Sequence, residues 1–348
     1  MEETQLPENA GSAEPKGCVN CGSMYVVPKY STQLCSECRQ LFIKYPISLP
    51  VKFFGIGVAL VLIFALFSFP KNISTGIHLE RGRAYEDKKQ YVSAQREYTE
   101  VVNAVPDNLD ANAHLLIASF YNLDISTFVK TQERLIGKNF SDRRLFNEVN
   151  DMVNKVKAMV TDDGIDDILL RYNNNEDAVP DSAFTSYLKD NPDNVCALVM
   201  YSKRLYMRKD FAHCDTLAKR LLAIDIEHLV ALRMLATVER EKGHMEESIE
   251  YCKRIIEMNS EAGYAYASVA RTYLKWNKLA EGLKMAEKSM AIDSNDLYNK
   301  VTMAIAWHLN KQPLKRDELL KELKQHTDTT TAAYLKYATD VINSKESI

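Results

Sequence analysis

Between residues 195 and 296 the chain repeats itself at a fixed period. Three units of equal length, 195–228, 229–262 and 263–296, follow one another with no insertion. Contiguity at one period, of about 34 residues, marks a repeat architecture, in which each unit is one supersecondary element that buries its apolar face only by stacking on its neighbours. Only 12 Gly and 10 Pro occur in 348 residues. That is too few for sandwiches or barrels that turn every ten residues, so the fold class expected is all-α, with long helices joined tightly.

Particular residues carry the period. The third unit has Tyr266, Val269, Ala270, Tyr273, Leu279, Gly282 and Ala286; the second has Leu235, Ala236, Gly243, Met245, Ser248, Cys252 and Ile255; the first has Tyr201, Ser202, Leu205, Phe211, Cys214, Ala218 and Leu221. These fall where the tetratricopeptide repeat (TPR) pattern places aromatic, aliphatic and small residues, and the chain resembles TPR proteins over this stretch. Small residues at the eighth and twentieth places let helices A and B of a pair approach, while larger ones fill the gap to the next unit. A separate unit at 75–108 resembles the pattern more closely, with Gly82, Tyr85, Tyr91, Ala94, Tyr98 and Pro106 in phase. Residues 297–348 read as a partial repeat, broken in its second helix by Pro313, and a capping helix at 329–343. Across 109–194 the phase is lost: 109–122 resembles a helix A, 142–160 and 164–172 have helical spacing, and RYNNNEDAVPDS reads as a loop. Degenerate helical hairpins are expected there, with an independent domain as the alternative.

The resemblance implies a binding role. TPR proteins hold peptide segments or partner domains along a groove built by the A helices, at the second, fifth, ninth, twelfth and thirteenth places of each unit. Here these places include Lys203, Tyr206, Arg233, Arg240, Arg271 and Lys275, with Glu241 the one acid among them. Such a groove favours an acidic peptide or a C-terminal carboxylate. The carboxylate clamp of chaperone-binding TPRs is not reproduced, since Val199 and Lys203 stand where its first lysine and asparagine would be. The competing reading is that these cations solvate helix faces and pair with nearby Glu.

Ahead of the repeats stand three different segments. Residues 1–16 hold only Leu6 as an aliphatic side chain larger than alanine, which predicts a disordered leader. Residues 17–45 contain Cys18, Cys21, Cys35 and Cys38 as two CxxC pairs separated by a short loop. Two such knuckles present four thiolates at the corners of a tetrahedron, the arrangement zinc requires. Gly22 suits the turn after the first pair, and the intervening MYVVPKYSTQL has strand-type residues. The module resembles a zinc ribbon at its four ligands and the glycine. A segment this short builds no core, so the cofactor expected is a structural Zn²⁺; a rubredoxin-like iron site and a redox pair are the alternatives. With only Lys29 between the Cys pairs, protein contact or a purely structural role is favoured over nucleic acid.

Then comes FFGIGVALVLIFALFSF, residues 53–69, without a charge and with only Ser68 polar. At about 1.5 Å per residue it covers roughly 26 Å, so 51–70 is expected to be a transmembrane helix. A signal peptide would begin near residue 1, and a core helix would show a polar face. Lys and Arg flank the run almost equally. A reduced four-cysteine site is most at home in a reducing compartment, so the N-terminus is expected in the cytoplasm and the repeats outside, with the reverse left open.

No catalytic chemistry is expected. The seven His are dispersed without HExxH or HxH, and no phosphate-binding or nucleophile-elbow motif occurs. Asp162, Asp163, Asp166 and Asp167 read as helix N-terminal acids. The net charge of −3 supplies no general pull toward nucleic acid. The function expected is a membrane-anchored scaffold or adaptor for protein complexes, with a membrane zinc or redox sensor and a factor that receives client peptides as the rivals.

Overall fold

The computed structural model describes residues 17–43, 47–325 and 328–344, with backbone only at 43 and 65–72. The expected disordered leader at 1–16 lies outside them. The described residues are all-α: seventeen helices and one 3-10 turn, Glu176–Ala178, with no strand. The chain divides between Pro70 and Lys71 into two compact units.

The first unit contains Cys18, Cys21, Cys35 and Cys38, α1 (Ser36–Ile43) and the start of α2 (Leu49–Glu86). Helix α2 runs through the apolar sequence, and its large apolar side chains from Phe53 to Phe64 are 43–75% exposed. Among the described residues no helix is long and apolar enough to cross a membrane. The expected span at 51–70 lies partly outside those residues, since no side chain is described from 65 onward.

The second unit is a run of helical hairpins. It comprises the end of α2, then α3 (Tyr91–Ala104), α4 (Leu109–Tyr121), α5 (Ile125–Leu135), α6 (Arg143–Val160), α7 (Asp163–Arg171) and α8 (Asp181–Asp190). It continues with α9 (Val195–Met207), α10 (Phe211–Ile224), α11 (Leu229–Lys242), α12 (Met245–Met258), α13 (Gly263–Lys275) and α14 (Leu279–Ile292). The last helices are α15 (Leu297–Leu309), α16 (Pro313–Leu323) and α17 (Thr329–Ile342). First helices start at 195, 229, 263 and 297 and second helices at 211, 245, 279 and 313, so every step is the same.

Pro313 therefore opens α16 and does not break it. At the first helical position its missing N–H would have no intrahelical partner, and its fixed φ is already helical. The period also persists further upstream than the sequence pattern reveals. The starts of α3 and α5 (91 and 125), and those of α4 and α6 (109 and 143), are separated by the same interval as those of α9 and α11. The phase is broken only at α7 and α8.

The last residue of a unit caps the helix that follows. Asn108, Asn194, His228 and Asp296 accept from the backbone N–H of Ala111, Ala197, Ala231 and Asn299. Asp162 does the same for α7, accepting from Gly164 and Ile165, and it also receives Tyr187 Oη at 2.6 Å and Asn194 Nδ2 at 2.7 Å. Its carboxyl is held below the usual range, by the Tyr187 hydroxyl first. That acid is structural.

Small residues set how closely paired helices approach. Ser248 Oγ donates to Ala236 O at 2.6 Å, joining the twentieth place of the second unit to the eighth. In the third unit a Cβ on Gly282 would lie 3.2 Å from Ala270 O. Ser202 and Cys214, the equivalent pair in the first unit, are fully buried. In unit 75–108 a Cβ on Gly82 would stand 2.4 Å from the ring of Tyr98, which is itself fully buried.

The N-terminal hairpin of this unit also docks far along the sequence. Glu261, in the turn between α12 and α13, accepts from Ser93 N and Ser93 Oγ at 2.7 Å each. Ser93 N belongs to the first turn of α3, whose own N-cap residue Gln90 supplies no side-chain bond. A carboxylate from 168 residues away thus caps this helix. Ser260 N to Lys89 O at 2.8 Å and Asn259 Nδ2 to Asn122 Oδ1 at 2.9 Å extend the contact.

Because the Tyr98 ring has nowhere to move, Gly82→Val is expected to destabilise the second unit by about 1–3 kcal/mol through overpacking. Chemical denaturation followed by circular dichroism checks this; an unchanged midpoint would show that the crossing tolerates bulk.

Candidate functional site

The four cysteines come together as the spacing requires. Their Sγ atoms all lie within 4.8 Å of one another, with Cys18, Cys35 and Cys38 buried and Cys21 exposed. Tetrahedral ligation with metal–sulfur bonds near 2.3 Å places sulfurs about 3.8 Å apart, so the cluster can hold a metal such as zinc with small adjustment. Cys21 Sγ and Cys35 Sγ are already 3.6 Å apart.

Local backbone makes the cluster. Gly22, at φ +73°, turns the chain so that its N–H reaches Cys18 O at 2.8 Å, while Cys18 N reaches Ser23 O at 2.7 Å. The second pair is built differently from the ribbon the sequence suggests. MYVVPKYSTQL forms turns and bends, with Val19 N to Gln33 O (2.9 Å) and Val27 N to Leu34 O (3.0 Å) as its backbone ties, and Cys38 sits in the first turn of α1. With so few cross-strand bonds the β-type residues have no ladder to join. Cys38 N points to Cys35 Sγ at 3.4 Å, and Asn20 Nδ2 to Cys38 Sγ at 3.4 Å.

The thiols divide charge unevenly. Backbone N–H groups, that of Cys35 foremost, hold the Cys18 thiol down at about 6. At Cys38 the Asn20 amide lowers the value, but the neighbouring thiols of Cys21 and Cys35 outweigh it and push the group up to about 12. Four thiolates this close repel one another unless a cation sits among them, and a soft divalent ion is the group whose chemistry matches the donors. Apart from the cysteines the module buries only Leu34 fully, with Val26 packed against it.

A second cluster lies on the first helices of the repeats. Lys203 and Arg233 are exposed, and Tyr206 is half-buried with its hydroxyl 3.4 Å from Thr237 Oγ1. Lys275 pairs with Glu241 at 2.6 Å, and Glu241 also faces Arg240 Nε at 3.3 Å. Arg240 and Arg271, expected on an open groove surface, are instead only 3% and 5% exposed. For Arg271 the physical reason is aromatic cover. The Arg271 guanidinium lies 4.0 Å from the Tyr298 ring centroid and 4.9 Å from that of Tyr337, and its Nε donates to Thr302 Oγ1 at 2.8 Å.

Tyr298 stands at the second place of its unit, a place the TPR resemblance assigns to the groove but one not singled out from the sequence. Tyr337 belongs to α17, outside the periodic array, so no spacing could have found it. Burial alone would raise the Tyr298 hydroxyl, but Arg271, then Arg240 and Arg233, outweigh burial and bring it below its ordinary value. Of the three, Arg271 lies against the Tyr298 ring, while Arg233 lies over Tyr264 at 5.9 Å. Arg240 Nη1 and Arg271 Nη2 are buried without a hydrogen-bond partner among the described residues.

These features define a class, an all-α stack of helical hairpins consistent with a TPR solenoid, with a four-cysteine cluster near the N-terminus. No family model and no curated protein matches the chain. Among solved structures it is similar to MamA, at 19% identity over 53% of this chain and 97% of that one, with a TM-score of 0.37. It is similar too to a tetratricopeptide repeat protein from Parabacteroides merdae, at 12% identity over 76% and 99% of the two chains, TM-score 0.39. A third is YrrB, described as a TPR protein with an unusual peptide-binding site, at 9% identity over 67% and 90%, TM-score 0.29. At scores this low no residue role passes from them to this chain.

Metal content checks the cysteine cluster. The purified full chain is expected to carry one zinc per molecule, to lose it to a strong chelator, and to release it as acid protonates the thiolates. Cys18→Ser should lower the zinc content while the helical circular dichroism of the repeats is retained. Iron in place of zinc, or no metal at all, would overturn the assignment.

Proposed function

We propose that the chain is a membrane-anchored TPR-type scaffold whose repeat groove takes an acidic peptide segment, with a structural zinc in its N-terminal module. The observation that carries the peptide reading is the pair of buried, unpartnered guanidinium nitrogens, Arg240 Nη1 and Arg271 Nη2, at places the TPR resemblance assigns to the groove, the second of them beside Tyr337. A buried cation lacking an acceptor costs free energy that an incoming carboxylate returns. Lys203 and Arg233, exposed at groove places and without an ion pair among the described residues, extend the positive field outward. A carboxylate that reaches Arg271 takes the face now covered by Tyr337.

Anchoring is supported by composition and exposure together. From Phe53 to Phe64 the large side chains of α2 are apolar and exposed, a surface that water does not favour and lipid does. We place residues 1–50 in the cytoplasm and the repeats on the other side, because a thiolate cluster with a metal persists best where disulfides do not form.

A fluorescent hexaglutamate peptide with a free carboxylate is expected to bind the full chain in a salt-sensitive manner. Arg233→Glu and Arg271→Met should each weaken it about tenfold or more, the loss of one charge-assisted contact of roughly 1.5–3 kcal/mol. Arg233 is exposed, so its variant folds even if the buried one does not, and unchanged polarisation titrations for both would remove the groove from the reading. A reporter active in only one compartment, fused after Ile348 and compared with the same reporter before Met1, is expected to place the two ends on opposite sides. Both ends on one side would refute the anchor.

A further inference from the structure

Where the period breaks, the second unit leaves a half-open cavity of about 410 Å³. It lies between the end of α4, α6, the start of α9 and the turn from α10 to α11, and its walls are mainly apolar, with Phe120, Leu123, Met159, Ile224, Leu229 and Val230 among them. This volume falls in the range of small-molecule sites, roughly 300–1,000 Å³. Regular stacking would have filled the space. Here α7 and α8 depart from the regular step, and α6 packs on both α4 and α9 without closing over the turn at 224–230.

One polar side chain in the wall lacks a partner. His228 is 7% exposed, and its Nδ1 accepts from Ala231 N at 3.3 Å as the N-cap of α11. Acceptance at Nδ1 fixes the tautomer, so Nε2 carries the proton and is a donor. Nε2 is buried and has no hydrogen-bond partner in the structure. Burial lowers the imidazole pKa, which keeps the ring neutral.

The charges around the cavity select against an acid. Lys155 is already met by Asp151 at 3.4 Å and Asp225 at 3.5 Å, and Asp225 and Glu227 both line the cavity. A ligand carboxylate would compete with Asp225 for Lys155 and face Glu227 as well. A neutral oxygen meets the Nε2–H donor without that repulsion.

From this geometry we propose that the cavity is a binding site for an uncharged apolar small molecule that carries a carbonyl-type oxygen, which accepts from His228 Nε2. The site is separate from the arginine cluster of the groove and does not depend on it.

The test uses the full chain with ¹³C-labelled methionine methyl groups, reading Met159 in the cavity wall, its resonance assigned by Met159→Leu. The probes are 4-phenylbutan-2-one, its acid analogue 4-phenylbutanoate, and butylbenzene, which has no acceptor. The ketone is expected to shift the Met159 methyl saturably and to bind about tenfold more tightly than either analogue. Ala158→Trp, on the exposed rim, should abolish the shift. His228→Asn retains a side-chain oxygen to cap α11 but its amide N–H stops one bond short of the Nε2 position, so the donor is lost from where the ketone oxygen sits, and the ketone should fall to the affinity of butylbenzene. A Met159 signal that does not move with any probe overturns the site. Equal binding of ketone and butylbenzene, or an unchanged affinity in His228→Asn, overturns the role of the imidazole, and preference for 4-phenylbutanoate overturns the ligand class.

Discussion

The closest helix crossings in the repeats are set by what is missing from their side chains. At the eighth and twentieth places the residues are Ser202 and Cys214, Ala236 and Ser248, Ala270 and Gly282, and at 75–108 Gly82 and Ala94. With side chains this small, backbone meets backbone or hydroxyl, as Ser248 Oγ shows against Ala236 O. The approach fixes the spacing within a hairpin, and that spacing decides where Tyr266, Leu235 or Leu221 finds a partner in the next one. Stability in such an array is a sum over neighbours, so each close crossing is a local condition on which the stack on either side depends.

The same regular geometry concentrates charge. First helices present equivalent places side by side, so side chains about one repeat apart in sequence become neighbours: Arg271 and Thr302, Glu241 and Lys275. One cation, Arg271, is held against two aromatic rings. Tyr298 and Tyr337 offer their π-clouds to Arg271, which offsets part of the cost of burying the guanidinium but leaves its hydrogen-bonding capacity incomplete. Arg271 is therefore less part of a basic surface than a buried cation with an aromatic cover.

Much of this was legible in the sequence because the physics that makes it is local and periodic. The fixed period announced helices that begin at 195, 229, 263 and 297, and two CxxC pairs announced a cluster of four sulfurs. What escaped was non-local or single-residue in origin. Pro313 reads as a breaker unless its position in the repeat makes it the first helical residue. The strand-type residues between the cysteine pairs mislead because propensity yields where no partner strand exists. The cover over Arg271 comes partly from a helix beyond the array, and the cavity by His228 depends on how out-of-phase helices fail to fill a gap. None of these leaves a pattern at a fixed offset.

The carboxylate of Glu261 at the start of α3 has a consequence in time as well as space. At about 5–20 residues per second, a ribosome that has finished Ser93 needs roughly ten to thirty seconds more to reach Glu261. Through that interval α3 has its first turn uncapped, and the hairpin at 75–108 lacks the Ser260 contact to Lys89 on which it rests. Closing a loop this long is entropically costly before any contact rewards it. The hairpin made first is thus among the last parts to be locked, and the three contiguous units, formed from neighbours alone, serve as the template onto which it settles.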